Sequence, residues 1–170
     1  MMHSMGSTDS QCPEVLIPDI SVIIPMYNEQ ENAADTIQRV ADTIAPSGKS
    51  FEIIPVNDGS TDDTLAVLHR LAEGDDHIRV VSYGTNGGRG KALRCGLKAA
   101  RGRYVATIDA DLSYDPKYIM QIYRVLDQEQ DVDVVLASPY MKGGSAQGVA
   151  RDRLFISRLG NRILQMAIPE

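Results

Sequence analysis

The chain is predicted to be an α/β protein, a three-layer sandwich built on a mostly parallel central sheet. Short apolar runs alternate with segments of helical periodicity from Ile20 onward. Single helices of about 10 to 15 residues separate those runs, and strands joined in that way pair in parallel through crossovers. Several of the runs are apolar throughout, as strands are when helices cover both faces of a sheet.

Taken in order, Ile20–Ile24 is the first predicted strand, stopped by Pro25. Ala33, Ile37, Val40, Ala41 and Ile44 then recur at helical spacing, and Pro46 and Gly48 end that helix. Phe51–Val56 is a second strand, in which Pro55 predicts an irregular ladder. Thr64–Ala72 is helical, Ile78–Tyr83 a strand, Lys91–Ala100 helical, and Tyr104–Ile108 a fourth strand. Tyr118, Ile119, Ile122, Tyr123 and Leu126 mark a further helix, and Val132–Ala137 a fifth strand. Before all of these, Met1–Asp19 is expected to be a flexible leader outside the fold, leaving 20–170 as one domain.

Composition narrows the function. The chain has 170 residues, one domain's worth, and its 43% apolar and 24% charged content is that of a globular protein. A formal net charge of −6 argues against nucleic acid as the main partner, because neutralising phosphates needs a surplus of Lys and Arg. No apolar stretch approaches the roughly 18 residues of a membrane span. Cys12 and Cys95 are too few for a disulfide framework and read as free thiols in a reducing compartment.

In sheets of this kind ligands bind at the carboxyl ends of the strands, and those ends are polar here. Strand one runs into Pro25-Met-Tyr-Asn-Glu29, strand two into Asn57-Asp-Gly-Ser60, strand three into Gly84-Thr-Asn-Gly-Gly88, and strand four into Asp109-Ala-Asp111. Asn28, Asp58, Ser60 and Asp62 also suit the capping of helices that follow. Asp109 and Asp111 are a different matter. Two carboxylates one residue apart after a buried run repel each other unless a cation neutralises them. A hard ion such as Mg²⁺ or Mn²⁺, held by one or two carboxylates and completed by substrate phosphates, meets that need.

Gly84, Gly87, Gly88 and Gly90, with Arg89 and Lys91, form a glycine-rich loop that opens a helix and suits an anionic group. Arg89 and Ala92 break the Walker pattern, and no Gly-x-Gly-x-x-Gly follows the first strand, which disfavours the common nucleotide-triphosphatase and dinucleotide readings. Residues 151–170 hold four Arg against one Asp and one Glu. Wound as a helix, they set Arg151, Arg158 and Arg162 in one stripe beside Phe155, Leu159, Ile163 and Met166. Such a helix suits anionic headgroups or a lipid phosphate, and equally suits packing on a sheet.

Ser21-Val-Ile-Ile-Pro-Met-Tyr-Asn-Glu29, Val56-Asn-Asp-Gly-Ser-Thr-Asp-Asp-Thr64, the Gly87–Lys91 loop with Gly96, and Ile108-Asp-Ala-Asp-Leu-Ser113 together resemble the inverting family 2 glycosyltransferases, which have the Rossmann-like GT-A fold. Tyr140-Met-Lys-Gly-Gly144 and Arg153 through Ser157-Arg-Leu-Gly-Asn161 are similar to the polyprenyl-phosphate sugar transferases of that family, dolichyl-phosphate mannosyltransferases above all. The resemblance implies transfer of a hexose, mannose from GDP-mannose in the first place and glucose from UDP-glucose in the second, onto a dolichyl or polyprenyl phosphate. It implies a peripheral protein at the cytoplasmic face of a membrane. Its donor site comprises Pro25, Tyr27, Glu29, Val56, Asp58, Lys91, Asp109, Ala110 and Asp111, with Asp109 and Asp111 as metal ligands and Ser113 beside the metal. Tyr140, Gly143, Gly144, Arg153 and Arg158 border the acceptor phosphate.

The chain departs from the family pattern in three places. Asn57 stands where the family usually has Asp, and Pro139 where relatives often have Arg. The sequence ends at Glu170, ahead of further basic residues and membrane helices found in relatives, so the domain is expected to be incomplete there. Two rival readings follow from the same residues. Ile108-Asp-Ala-Asp-Leu-Ser113 imitates the Asp-x-Asp nucleophile motif of haloacid-dehalogenase-like phosphatases, although that family carries it near the chain start with a later Lys and acidic pair. A nucleotide-binding module without turnover is the other.

Overall fold

A computed structural model describes residues 17–138. The chain divides after Asp133. The first unit holds every element below, and of the second the described residues are Val134–Ser138.

The elements of the first unit are β1 (Ile20–Met26), α1 (Ala33–Ile44), β2 (Phe51–Asp58), α2 (Thr64–Gly74), β3 (Val81–Tyr83), α3 (Arg89–Ala99), β4 (Tyr104–Thr107) and α4 (Lys117–Gln128). The four strands form one parallel sheet in the order β3-β2-β1-β4, the α/β architecture that the alternation predicts. The strand order reverses between the first three strands and β4, so right-handed crossovers must put α3 on the face opposite α1 and α2. The core divides accordingly. Val22, Ile24 and Met26 of β1 pack with Ile37 and Val40 of α1, Leu68 of α2, and Ile119 and Tyr123 of α4. Ile23 turns to the other face and packs with Ile54, Val56 and Ala92 of α3.

Pro25 does not end β1, which continues through Met26 opposite Asn57 of β2. The reason lies in which side each residue faces. Ile23 O accepts from Ile108 N, so Pro25, two residues on, also faces β4, beyond the last paired residue of that ladder. Its missing N–H therefore costs no bond. Pro55 has the opposite effect. Ile53 bonds to both His77 O and Arg79 N on the β3 side, so Pro55 faces β3 without a donor. The ladder is reduced there to an isolated bridge at Ile78, and β3 begins only at Val81 instead of Ile78.

The fifth strand predicted over 132–137 does not form. Val134 and Leu136 are 72% and 79% exposed, and a short apolar run becomes a strand only where a ladder partner and a buried face receive it. Of the leader predicted over Met1–Asp19, residues 1–16 with Cys12 lie outside the described residues, as do the acceptor residues Tyr140, Gly143, Gly144, Arg153 and Arg158 and the Arg-striped helix. Its last residues belong to the fold instead, Pro18 O accepting from Arg103 N at 2.9 Å and Asp19 O from Tyr104 N at 3.0 Å. Cys95 is a free thiol, half-buried on α3. No helix among the described residues is long and apolar enough to cross a membrane.

At the amino edge of the sheet, away from the polar rim, Glu52 is 7% exposed and completes a buried ionic cluster. Its Oε1 accepts from Ser21 Oγ at 2.6 Å and Arg101 N at 2.7 Å, and its Oε2 from Arg79 Nη2 at 2.9 Å. Arg79 also donates to Ala99 O, and Gly102 N to Ser21 Oγ at 2.8 Å. Burial alone raises the Glu52 pKa, but these donors outweigh it and hold the carboxyl below its ordinary value.

Candidate functional site

A cavity of about 210 Å³ opens at the carboxyl edge of β1, β2 and β4, where the strand order reverses. Pro25 and Met26 at the end of β1, Tyr27 and Glu29 just beyond it, Asp58 at the end of β2, Arg89 at the start of α3, and Asp109, Ala110 and Asp111 after β4 line it.

The acidic pair sits on a turn fixed from three sides. Ile108 N donates to Ile23 O at 3.1 Å, carrying β4's pairing one residue further, and Leu112 N closes the turn on Asp109 O at 3.1 Å. Leu112 takes φ +51°, a left-handed conformation that a branched side chain adopts at a cost of about 1 kcal/mol or more. From below, Thr36 Oγ1 of α1 donates to Ala110 O at 2.6 Å in a buried bond. Asp111 Oδ1 accepts Ser113 N at 2.9 Å, and bonds from the Ser113 backbone and hydroxyl hold that carboxyl below its ordinary range. Asp109 Oδ1 receives both Arg89 Nε at 3.0 Å and Arg89 Nη2 at 2.9 Å.

This donor set fits a hard divalent ion. Asp111 is held ionised on a turn facing the cavity, with Asp109 one residue away. Among the described residues no group of three or more His, Cys, Asp or Glu is arranged to hold a metal. The pair would thus hold an ion by one or two carboxylates and leave its remaining positions to water or phosphate oxygens, the way Mg²⁺ is commonly bound.

Side-chain bonds latch the β1 and β2 loops together. Asn28, at φ +56°, accepts Thr61 N on its Oδ1 at 2.8 Å, while its own N donates to Ser60 Oγ at 3.0 Å. Glu29 N donates to Thr64 Oγ1 at 2.8 Å, and Asp62 takes Gln30 N at 3.2 Å and Thr64 N at 3.0 Å. Burial pushes the Asp62 carboxyl up, but the Thr64 and Gln30 donors prevail and lower its pKa. Asn28 and Ser60 are therefore cross-loop ties and cap no helix: α1 and α2 begin after Asn32 and Asp63, neither with a side-chain cap bond.

Asp58 organises the glycine-rich loop in place of capping α2. Its Oδ1 accepts Tyr83 OH at 2.6 Å and Gly87 N at 2.8 Å, and it is 4% exposed. Burial raises its pKa, yet the bonds from Tyr83, Gly87 and Gly88 and the nearby Lys91 ammonium bring it below the ordinary value. Burial and the adjacent Asp58 push the Tyr83 phenol well up. Gly59, at φ +66°, allows the β2 and β3 loops to meet: a Cβ there would lie 2.5 Å from Asn86 N.

Seven of the nine donor-site residues predicted from the sequence (Pro25, Tyr27, Glu29, Asp58, Asp109, Ala110 and Asp111) line the same cavity. Val56 and Lys91 are not part of that lining. Val56 is fully buried in the core beneath α3. Lys91 lies with Nζ 4.0 Å from the Tyr83 ring centroid and bonds Thr85 O at 3.3 Å. Met26 and Arg89 line the cavity in addition. Sequence reasoning missed Thr36 and Tyr83, whose partners are 74 and 25 residues away; a lone Thr on a helix's buried stripe was the only signal of the first.

The family model for glycosyl transferase family 2 matches residues 21–169. The undecaprenyl-phosphate 4-deoxy-4-formamido-L-arabinose transferase of Sodalis glossinidius is 37% identical over 68% of this chain and 36% of its own length. The protein of the same description from Klebsiella pneumoniae strain 342 is 29% identical over 88% of this chain and 44% of its own. The chain thus spans less than half the length of these curated relatives. Among solved structures it is similar to S. aureus TarS 1–349, with TM-score 0.57 and 26% identity over 73% of this chain and 40% of that one. It is also similar to the mannosyltransferase PcManGT from Pyrobaculum calidifontis in complex with GDP-Man and Mn²⁺, with TM-score 0.50 and 29% identity over 57% and 28%.

Proposed function

We propose that this chain, which belongs to glycosyl transferase family 2, transfers a hexose from a nucleoside-diphosphate sugar to a polyprenyl phosphate with inversion at the anomeric carbon. The observation that carries the reading is the cavity itself, where Asp58, Arg89, Asp109 and Asp111 converge on one strand-end rim. Two comparisons support it. The relatives are named as undecaprenyl-phosphate transferases, and one structural neighbour is described with GDP-Man and Mn²⁺. GDP-mannose is the first donor to test and UDP-glucose the second.

In this reading Tyr27 and Asp58 border the base, and Asp109 and Asp111 would hold Mg²⁺ or Mn²⁺. When bound, that ion supplies positive charge against the leaving diphosphate. Arg89 adds a guanidinium suited to phosphate oxygens. A polyprenyl phosphate is already an anion at neutral pH, so the chain need not provide a general base. Among the described residues no His lines the cavity; His77 stacks on Phe51 and bonds Asp75. The acceptor side is assigned to Tyr140, Gly143, Gly144, Arg153 and Arg158, and the protein to the cytoplasmic face of a membrane as a peripheral component.

The test is sugar transfer from labelled GDP-mannose and UDP-glucose to a short polyprenyl phosphate with Mn²⁺. Wild type should form the lipid-linked sugar, and Asp111→Asn should lower the rate by at least about a hundredfold, the scale of losing one strong electrostatic contact at the reacting phosphates. Nucleotide binding without transfer would select a binding module. Release of inorganic phosphate from phosphomonoesters with no nucleotide dependence would select the phosphatase reading.

A further inference from the structure

We propose that Arg89 is a shared counter-ion that couples cation binding to donor binding: its guanidinium competes with a divalent cation for Asp109, and on release it pairs with the donor diphosphate. The inference rests on the nucleotide-sugar reading of the cavity.

Three observations carry it. Arg89 Nε and Nη2 converge on one oxygen, Asp109 Oδ1, at 3.0 and 2.9 Å. Both residues line the cavity, where Glu29, Asp58, Asp109 and Asp111 stand against Arg89 as the one cationic side chain among the described residues. Arg89 is also free to move: its side chain is 62% exposed and belongs to the first residue of α3, so rotation disturbs no core contact.

The consequences follow from charge. Both guanidinium donors occupy Asp109 Oδ1, and a cation bound at that same oxygen would meet the guanidinium at a distance where two positive charges repel. Cation binding at that oxygen therefore loosens the ion pair and favours release of the guanidinium. A bare diphosphate, in turn, faces an excess of carboxylates and is repelled. Once a cation has displaced the guanidinium, the same side chain can fork onto phosphate oxygens. Each ligand then removes an obstacle to the other, and the coupling is reciprocal.

The experiment titrates the full chain with Mn²⁺ alone, following free Mn²⁺ by electron paramagnetic resonance, then repeats the titration with saturating GDP and with saturating UDP. Wild type is compared with Arg89→Gln and Arg89→Lys, each checked by thermal melting. Arg89→Gln should bind Mn²⁺ alone about two- to fivefold more tightly than wild type, the scale of removing an exposed ion pair. The factor by which nucleotide tightens Mn²⁺ binding should fall about tenfold or more in that variant, the scale of a lost charge-assisted pair. Arg89→Lys, which keeps the charge without the fork, should bind Mn²⁺ alone as wild type does and recover only part of the coupling. A merely structural role for Arg89 cannot yield tighter metal binding, so Mn²⁺ affinity in Arg89→Gln equal to or weaker than wild type overturns the proposal. Wild type that binds Mn²⁺ and nucleotide with the same coupling as Arg89→Gln also overturns it, and leaves the nucleotide-sugar reading standing. Wild type that binds neither ligand removes that reading and this inference together.

Discussion

Tyr83 donates its hydroxyl to a carboxylate that also orders the glycine-rich loop, so one hydroxyl bears on both stability and the cavity that Asp58 lines. Tyr83→Phe should lower stability by about 1–2 kcal/mol at neutral pH, the scale of one hydrogen bond to a charged acceptor. Because the Asp58 pKa is depressed in the fold, that contribution is fully present above its ordinary value of 3.8 and is lost as pH falls through the native value. Urea midpoints of wild type and Tyr83→Phe should therefore differ at pH 7 and converge as pH falls below 3.8; a constant difference would contradict the assignment. At this scale the sequence reveals residues whose chemistry is expressed locally. Asp109 and Asp111 are legible because two carboxylates after an apolar run have few structural uses. Thr36 and Tyr83 are not legible, because a single hydroxyl carries no pattern and its partner is set by tertiary packing. Val56 matched the family motif as a residue, yet the burial of its side chain depends on which face of β2 it takes.

Helix α3 shows at the scale of an element how one substitution changes sign with its surroundings. A Cβ on Gly96 would lie 2.4 Å from Ile23 Cγ2, and Ile23 is fully buried in β1. A Cβ on Gly90, in the exposed first turn, would meet nothing within 4 Å. Gly96→Ala should thus destabilise by about 1–2 kcal/mol, overpacking exceeding the gain in helix propensity. Gly90→Ala should be neutral or stabilise by up to about 1 kcal/mol. Thermal melts of the two variants decide it, and equal shifts would contradict the packing of α3 on β1. Most elements are legible because apolar runs and helical spacing are local. The errors fall where pairing decides. Pro25 ends no strand because its ladder to β4 has already stopped, Pro55 shortens a neighbouring strand instead of its own, and 132–137 has no strand partner among the described residues.

Across the whole unit, opposite edges of the sheet serve different ends. The carboxyl edge gathers more carboxylates than cations, while at the amino edge Glu52 is satisfied by the Arg79 guanidinium, the Ser21 hydroxyl and the Arg101 backbone N–H within a closed cluster. Nothing in the sequence marks Glu52 beyond one acid inside an apolar run, since its partners arrive from other strands and loops. Its folded pKa lies below the ordinary 4.5, so its contribution is fully present above that value and disappears as pH falls through the native one. Glu52→Gln should cost about 2 kcal/mol at pH 7 and flatten the acid limb of a plot of unfolding free energy against pH. An unchanged acid limb would remove Glu52 from that role.

The proposed function turns on where a divalent cation binds. Crystals soaked in Mn²⁺ with GDP or UDP should give an anomalous difference peak within about 2.5 Å of an oxygen of Asp111, with diphosphate oxygens completing the ion's shell. Nucleotide bound in the cavity with no such peak, or a peak only at some other acidic surface, would contradict the proposal that the Asp109–Asp111 turn binds the metal.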